Sequence, residues 1–199
     1  MIEVIFLSLV QGLTEFLPIS SSAHLVLVSE YLNFTNENLT LDINLHFGSL
    51  LAVIIYFKKD LLNFAKNKSL LIKIMISSIP VLVCGYFLVK FNLIEFLRSY
   101  KIIGWCTILF GVLLYFSDFI KVKKKISKDF KYGTAIYIGL FQVLSLMPGV
   151  SRSGITITAA RFLNFNRIES AKISFLISIP TLLAINFYNL QNLILNKSF

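Results

Sequence analysis

A chain of 199 residues that is 56% hydrophobic, 15% charged and carries 19 phenylalanines is too apolar for a water-soluble domain. At ~20 residues per full crossing, that length fits a single helical domain of about six to eight membrane segments, so the expected fold class is all-α, a polytopic membrane protein. The formal net charge of +9 raises nucleic acid as a partner, but the lysines flank apolar segments and alternate with neutral loops, a pattern that excludes nucleic acid in favour of membrane orientation.

Cys84 and Cys106 each lie within apolar sequence and read as small buried hydrophobes, without a disulfide framework or a metal site. The opening Met1-Ile-Glu-Val has no basic region and no small-residue cleavage site after it, so it reads as the start of the mature protein.

Residues 3–17 predict an apolar helix too short for a full crossing, with Gln11 and Glu15 four apart on one face. Pro18 ends it, and a serine of Ile19-Ser-Ser-Ser-Ala-His24 is placed to cap a second short helix running to about Leu32. Two short helices broken at Pro-x-Ser-Ser-Ser predict a re-entrant hairpin, which membranes tolerate only where the broken backbone is buried in protein or lines a wet cavity.

Residues 33–42 are polar and acidic, and Leu45 to Phe57 is the next membrane segment. The loop 58–68 carries four lysines against Asp60, and Leu70–Val89 and Ile102–Ile120 follow as full spans. Between those spans residues 91–100 are net neutral, whereas the loop 121–131 holds six lysines against Asp129. By the positive-inside rule both lysine-rich loops are cytoplasmic, and 33–42 and 91–100 are external. Tyr132 to Met147 then re-enters, breaks at Pro148-Gly-Val-Ser-Arg-Ser153, and continues as a short helix over 153–163. Arg161, Arg167 and Lys172 against Glu169 mark a further cytoplasmic turn before a last crossing segment, 171–190.

The two halves echo each other. Gly12-Leu-Thr-Glu-Phe-Leu-Pro-Ile-Ser-Ser-Ser matches Gly139-Leu-Phe-Gln-Val-Leu followed, after a small insertion, by Met-Pro-Gly-Val-Ser-Arg-Ser. Leu45-His-Phe-Gly-Ser-Leu likewise lies beyond its hairpin as Ile173-Ser-Phe-Leu-Ile-Ser does beyond the second. The chain thus reads as one membrane domain, 1–199, with repeat one at 1–57, spans at 70–89 and 102–120, and repeat two at 132–190. Opposite predicted orientations make this an inverted-topology repeat with two broken hairpins whose breaks meet.

The second break puts Arg152 among Ser151, Ser153 and Thr156 in apolar sequence. An arginine at membrane depth costs roughly 2.5 to 3.5 kcal/mol on insertion scales, so an anionic partner is expected, and hydroxyls at a helix start add donors for a phosphate. Opposite it the first break brings Glu15, Ser20, Ser21, Ser22 and His24. Glu15 beside a phosphate points to a bridging divalent cation, Mg²⁺ or alternatively Ca²⁺, with Gln11 as a neutral oxygen ligand, or to proton transfer. A serine near a histidine and a carboxylate supplies the parts for nucleophilic phosphoryl transfer. Against this stand plainer readings: a structural His24, serines that only cap a helix, and a Glu15–Arg152 ion pair. His46, placed near the start of a crossing helix, is given no catalytic role.

Gln11-Gly-Leu-Thr-Glu15-Phe-Leu-Pro-Ile-Ser-Ser-Ser-Ala-His24 and Pro148-Gly-Val-Ser-Arg-Ser-Gly-Ile-Thr156 resemble the two signature motifs of the undecaprenyl-diphosphate phosphatase, or bacitracin-resistance, family. The resemblance runs from the N-terminus to about Ile185, and the family pattern continues for two further membrane helices. It implies hydrolysis of an isoprenoid diphosphate carrier lipid to its monophosphate on the outer side of the bacterial plasma membrane, recycling the carrier for peptidoglycan synthesis. It further implies metal-dependent catalysis at Gln11 and Glu15, Ser21 as nucleophile, His24 as the essential histidine and Arg152 as phosphate binder. Ser20, Ser22, Ser151, Ser153 and Thr156 are the expected substrate contacts, with the polyprenyl diphosphate lipid and the membrane as partners and a homodimer as an open assembly state. A polyprenyl-phosphate flippase or small-anion transporter is the alternative, because inverted repeats with broken helices are also a transporter architecture. A phosphatidic-acid-type phosphatase would need a histidine after its Ser-Arg motif, and none follows His46.

The charge pattern makes a direct prediction. Cysteines placed singly at Asn36 and Asn92 in a Cys84→Ser, Cys106→Ser background should react with an impermeant thiol reagent outside whole cells, and cysteines at Asn67 and Ser127 should not. Outside labelling at position 127 would reverse the orientation.

Overall fold

The structure is a computed structural model and describes residues 2–34, 39–64, 67–91, 93, 99–122 and 124–196. The expectation that 33–42 and 91–100 form external loops falls outside the described residues at 35–38, 92 and 94–98, and residues 39–42 are helical instead.

Two short helices, α1 (Ile2–Thr14) and α2 (Ser21–Tyr31), form the first hairpin and pack against each other. Helix α3 (Leu39–Tyr56) follows, then α4 (Lys58–Phe64) and the long α5 (Lys68–Lys90). After α6 (Tyr100–Ser117) and the single turn α7 (Ile126–Asp129), the second hairpin is built from α8 (Tyr132–Val143), a 3₁₀ turn at Leu144–Leu146, and α9 (Arg152–Phe162). The last helix, α10 (Arg167–Asn196), packs on α3, α5 and α9 at once. Among the described residues there is no strand, only an isolated bridge between Lys124 and Phe165. Each hairpin is followed by a long helix, the element order that the repeated sequence predicts.

Three helices, Lys68–Lys90, Tyr100–Ser117 and Arg167–Tyr188, are long and apolar enough to cross a membrane, and three shorter apolar helices accompany them. The outermost, α6, leaves Trp105, Ile108, Leu109 and Val112 exposed, as a helix facing hydrocarbon does. The innermost, α10, buries Ile173, Leu176, Ile177 and Leu182 completely or nearly so.

Several boundaries differ from the sequence reading: α1 ends at Thr14 rather than 17, and α10 runs over Arg167–Asn196 rather than 171–190. Helix α3 begins at Leu39 rather than Leu45, because Leu41 and Leu45, one turn apart, join the cluster built on Leu7 and Leu25 of the first hairpin. The stretch expected as a lysine-rich loop contains α4. Phe57, Leu61 and Phe64 recur at helical spacing and pack into the core, leaving Lys58 and Lys59 in solvent.

Close helix packing rests on small and hydroxyl residues, as it does where lipid removes the hydrophobic drive for helices to associate. Gly139 on α8 lies against α5 so closely that a Cβ would collide with the carbonyl of Ser77. Ser78 donates to Ile74 O (3.1 Å) and to Ile177 O of α10 (3.4 Å), and Ser77 donates to Ile74 O (2.8 Å). Pro80 and Pro180 sit inside α5 and α10, a position that membrane helices tolerate.

The turn between α9 and α10 is held by a buried charge. Arg161, one of the charges that mark this turn in the sequence, is 3% exposed. Its Nη1 donates to Phe165 O (2.8 Å), and its Nη2 donates to Asp118 O (2.9 Å) and Ile120 O (3.2 Å), tying the end of α6 to the α9–α10 corner. Three carbonyls at a helix junction need donors, and a planar guanidinium with five N–H groups supplies them. Beside it Arg167 hydrogen-bonds Asp118 and holds that carboxyl below the usual carboxylate range.

Gly139→Ala should destabilise the fold by about 1–3 kcal/mol through overpacking. Gly104→Ala, whose Cβ would meet nothing within 4 Å, should not. Thermal unfolding of the purified variants in detergent checks both.

Candidate active site

Both helix breaks are shaped by local chemistry. Pro148 and Gly149 stop the second hairpin's descent. Gly149 has φ +89°, where L side chains are strained, and its backbone lies against Ile103 of α6 with Thr107 Oγ1 donating to its carbonyl (3.2 Å). Ser151 then caps α9, accepting from Gly154 N–H at 3.1 Å. In the first break Ser20 holds the N-cap position of α2 without a side-chain cap bond, and its hydroxyl lies 3.3 Å from that of Ser22. The serines there are consequently not consumed by capping.

The breaks meet directly. Ser153 Oγ donates to Leu17 O at 2.7 Å, Ser151 Oγ to the same carbonyl at 3.4 Å, and Gly154 lets the second break sit against Pro18 O. At this contact Glu15, nearly fully buried, pairs with Arg152. The other Glu15 oxygen, Oε2, accepts from Ser21 Oγ at 2.5 Å and from Gln11 Nε2 at 2.9 Å, and lies 3.6 Å from His46 Nε2. A cavity of about 150 Å³ opens beside them. Glu15, Ser20, Ser21 and Ser22 line one side, and Ser151 and Arg152 face them.

The structure thus brings six of the sequence-selected residues to one cavity. The others lie around it. Ser153 is committed to Leu17, and Thr156 is buried and donates to Ser174 Oγ at 2.7 Å, joining α9 to α10. His24, half-buried on α2, has Nδ1 2.9 Å from Ser20 O and does not line the cavity; its ring braces the backbone that presents Ser21. Gln11 is fully buried behind Glu15 and shares its amide with Ser49 Oγ at 3.4 Å.

His46 is the residue that sequence reasoning passed over. The earlier start of α3 puts it mid-helix, on the cavity wall, facing the same Glu15 oxygen as Ser21. Its signal was its place in the repeat: the matching residue, Ser174, also reaches back from a long helix to its hairpin. Thr181 and Ser145 complete the polar wall, and Gln142, which occupies the repeat position of Glu15, donates to Thr181 Oγ1 at 2.8 Å.

Fold and site together define a polytopic all-α membrane protein in which two broken helical hairpins enclose a buried carboxylate, a guanidinium and a cluster of hydroxyls. Residues 4–199 match the family described as "Bacitracin resistance protein BacA", and the chain belongs to that family. It is 50% identical over 194 residues to the undecaprenyl-diphosphatase of Pelagibacter ubique (strain HTCC1062), covering 97% of this chain and 76% of that one. It is also 43% identical over 197 residues to the undecaprenyl-diphosphatase of Campylobacter curvus (strain 525.92), covering 92% and 73% of the two chains. The undecaprenyl-diphosphatase of Saccharophagus degradans (strain 2-40 / ATCC 43961 / DSM 17024) shares 42% over 191 residues, covering 90% and 72%.

Arg152→Lys should lose most activity although the charge is kept. A lysine is a point charge that cannot span Glu15 and two phosphate oxygens with a planar fork. Phosphate release and lipid-diphosphate binding, measured in parallel, should both fall.

Proposed function

We infer that this chain is a membrane-embedded undecaprenyl-diphosphatase, hydrolysing undecaprenyl diphosphate to undecaprenyl phosphate and inorganic phosphate. This activity recycles the peptidoglycan carrier lipid and underlies bacitracin resistance. The observation that carries the mechanism is the Ser21 hydroxyl donating to a carboxylate that is itself held by an arginine, an activated nucleophile beside an anion receptor.

In our reading Ser21 Oγ attacks the terminal phosphorus in line. The new Oγ–P bond forms as the bond from phosphorus to the bridging oxygen breaks, undecaprenyl phosphate leaves, and the serine proton passes to Glu15 Oε2. Arg152 uses part of its five-donor fork on Glu15 and has N–H groups left for the equatorial phosphate oxygens. His46, against the same Glu15 oxygen, is placed to pass that proton on to the leaving phosphate. Water then attacks the phosphoserine, the Oγ–P bond breaks, and Glu15 passes the proton taken from water to Ser21 Oγ, which restores the hydroxyl as inorganic phosphate leaves. His24 braces the Ser20 carbonyl and so holds the nucleophile at its angle.

The resemblance also implies a divalent cation. Among the described residues no group of three or more His, Cys, Asp and Glu is placed to hold one. The donors do fit Mg²⁺, which takes one or two carboxylates and draws its other ligands from substrate phosphates and water. Gln11 Oε1 is buried without a hydrogen-bond partner, and an amide flip would present it beside Glu15 Oε2. Glu15 and Gln11 would hold the ion, which supplies charge neutralisation on the diphosphate. The lysine distribution supports a site that opens to the outer side of the membrane.

Ser21→Ala separates an enzyme from a carrier. Removing a nucleophile costs several orders of magnitude in rate, whereas losing one neutral hydroxyl from a binding site costs only about 0.5 to 1.5 kcal/mol. Phosphate release should vanish while lipid-diphosphate binding stays within roughly tenfold of wild type. EDTA should suppress release by the unaltered protein. Binding without cleavage by the wild type would hand the function to the transporter reading.

A further inference from the structure

A second polar recess lies at the other end of α9. Arg152 and Arg161 are nine residues apart on that helix, which places the two sites about 14 Å apart along its axis at 1.5 Å per residue. The recess is a groove of about 700 Å³ between the end of α6 and the start of α10. Lys121, Arg161 and Arg167 line it against a single carboxylate, Asp118.

The four charges are not equivalent. Arg161 is buried, spends its Nη groups on backbone carbonyls and keeps a buried Nε without an acceptor. Asp118 is engaged by Arg167 through Nε at 2.9 Å and through Nη2, and Arg161 Nη2 lies 3.4 Å from it. Lys121 is exposed and, among the described residues, has no acidic partner. The groove therefore keeps a net positive charge with free N–H donors on Lys121 and Arg167. Arg167 also opens α10, so the positive end of that helix dipole adds to the field.

Apart from Asn166, whose Oδ1 accepts from Glu169 N–H, its remaining wall is apolar and open. Ile168 is 81% exposed and Val122 47% exposed, both lining the groove, and Phe119, next in sequence to the lining Asp118 and Ile120, is 68% exposed. A soluble phosphate or nucleotide would have no use for these side chains. A ligand with a phosphate at one end and hydrocarbon at the other matches both walls, and the groove sits where two apolar helices terminate, the depth of lipid headgroups.

We propose that this groove binds the headgroup phosphate of an anionic phospholipid, with Lys121 and Arg167 as its contacts and Phe119, Val122 and Ile168 against its chains. Arg161 and Asp118 set the geometry: one fixes the corner, the other aims Arg167.

The test uses the unaltered full chain, purified in mild detergent, with substitutions confined to the groove so that the Glu15–Arg152 pair stays intact. Native mass spectrometry then reads lipid retained from added phosphatidylglycerol or phosphatidylcholine. Phosphatidylglycerol should be held and phosphatidylcholine should not. Lys121→Gln should lower retention about fivefold, and the Lys121→Gln, Arg167→Gln double variant about thirtyfold, from ~1 kcal/mol per basic side chain near a headgroup. Lys121→Gln removes an exposed side chain with no acidic partner among the described residues and so keeps the test independent of folding. Equal retention of both lipids, undiminished phosphatidylglycerol in the glutamine variants, or its displacement by millimolar inorganic phosphate would overturn the proposal.

Discussion

The pairing of Glu15 with Arg152 is the constraint on which the rest of the architecture depends. Neither charge is tolerable alone in apolar surroundings, and breaking a buried pair typically costs about 3–5 kcal/mol because the survivor is left uncompensated. The two residues come from different hairpins, 137 positions apart in the chain. Their attraction therefore acts on the whole tertiary arrangement: it requires that both helices be broken at matching depth and that the breaks touch. The hydrogen bonds from Ser151 and Ser153 to Leu17 O serve the same end with neutral groups.

Around that pair the protein is assembled with hydroxyls and small residues rather than bulk. Ser174 holds Thr156, Ser78 reaches Ile177, and Gly139 admits a backbone. Several of the hydroxyls also donate to a carbonyl three or four residues back, as Ser77, Thr158 and Thr181 do, so they are satisfied within their own helix before they meet a neighbour. Such contacts let helices approach without leaving unpaired polar groups. The consequence for function is stiffness at the breaks, where a displacement of a fraction of an ångström would separate Ser21 from its carboxylate.

Much of this was legible in the chain itself, because membrane proteins must write their charges where they are needed. The two breaks, the Glu15–Arg152 opposition and the serine clusters all stood out as polar groups in apolar sequence. What could not be read were residues whose role depends on where a helix begins. Hydropathy placed the start of α3 at Leu45, which left His46 at a helix end, while packing of Leu41 on the first hairpin starts that helix at Leu39 and turns the histidine inward. Arg161 was hidden for the opposite reason. It sits among other charges, and nothing in composition separates a solvated arginine from one that collects carbonyls at a buried corner. Thr156 and Ser153 belong to a motif dense in hydroxyls, and only the fold sorts those that face the cavity from those that face a neighbouring helix.

Gln142 occupies in the second hairpin the place that Glu15 holds in the first, and it is a neutral amide bonded to a threonine. This makes the duplication electrostatically one-sided. Two copies of the first hairpin, docked tip to tip, would set two carboxylates against each other with no cation between them. Two copies of the second would oppose two guanidinium groups. The halves share a shape but can no longer be exchanged, so any drift in one break that moved its charge would have to be answered in the other.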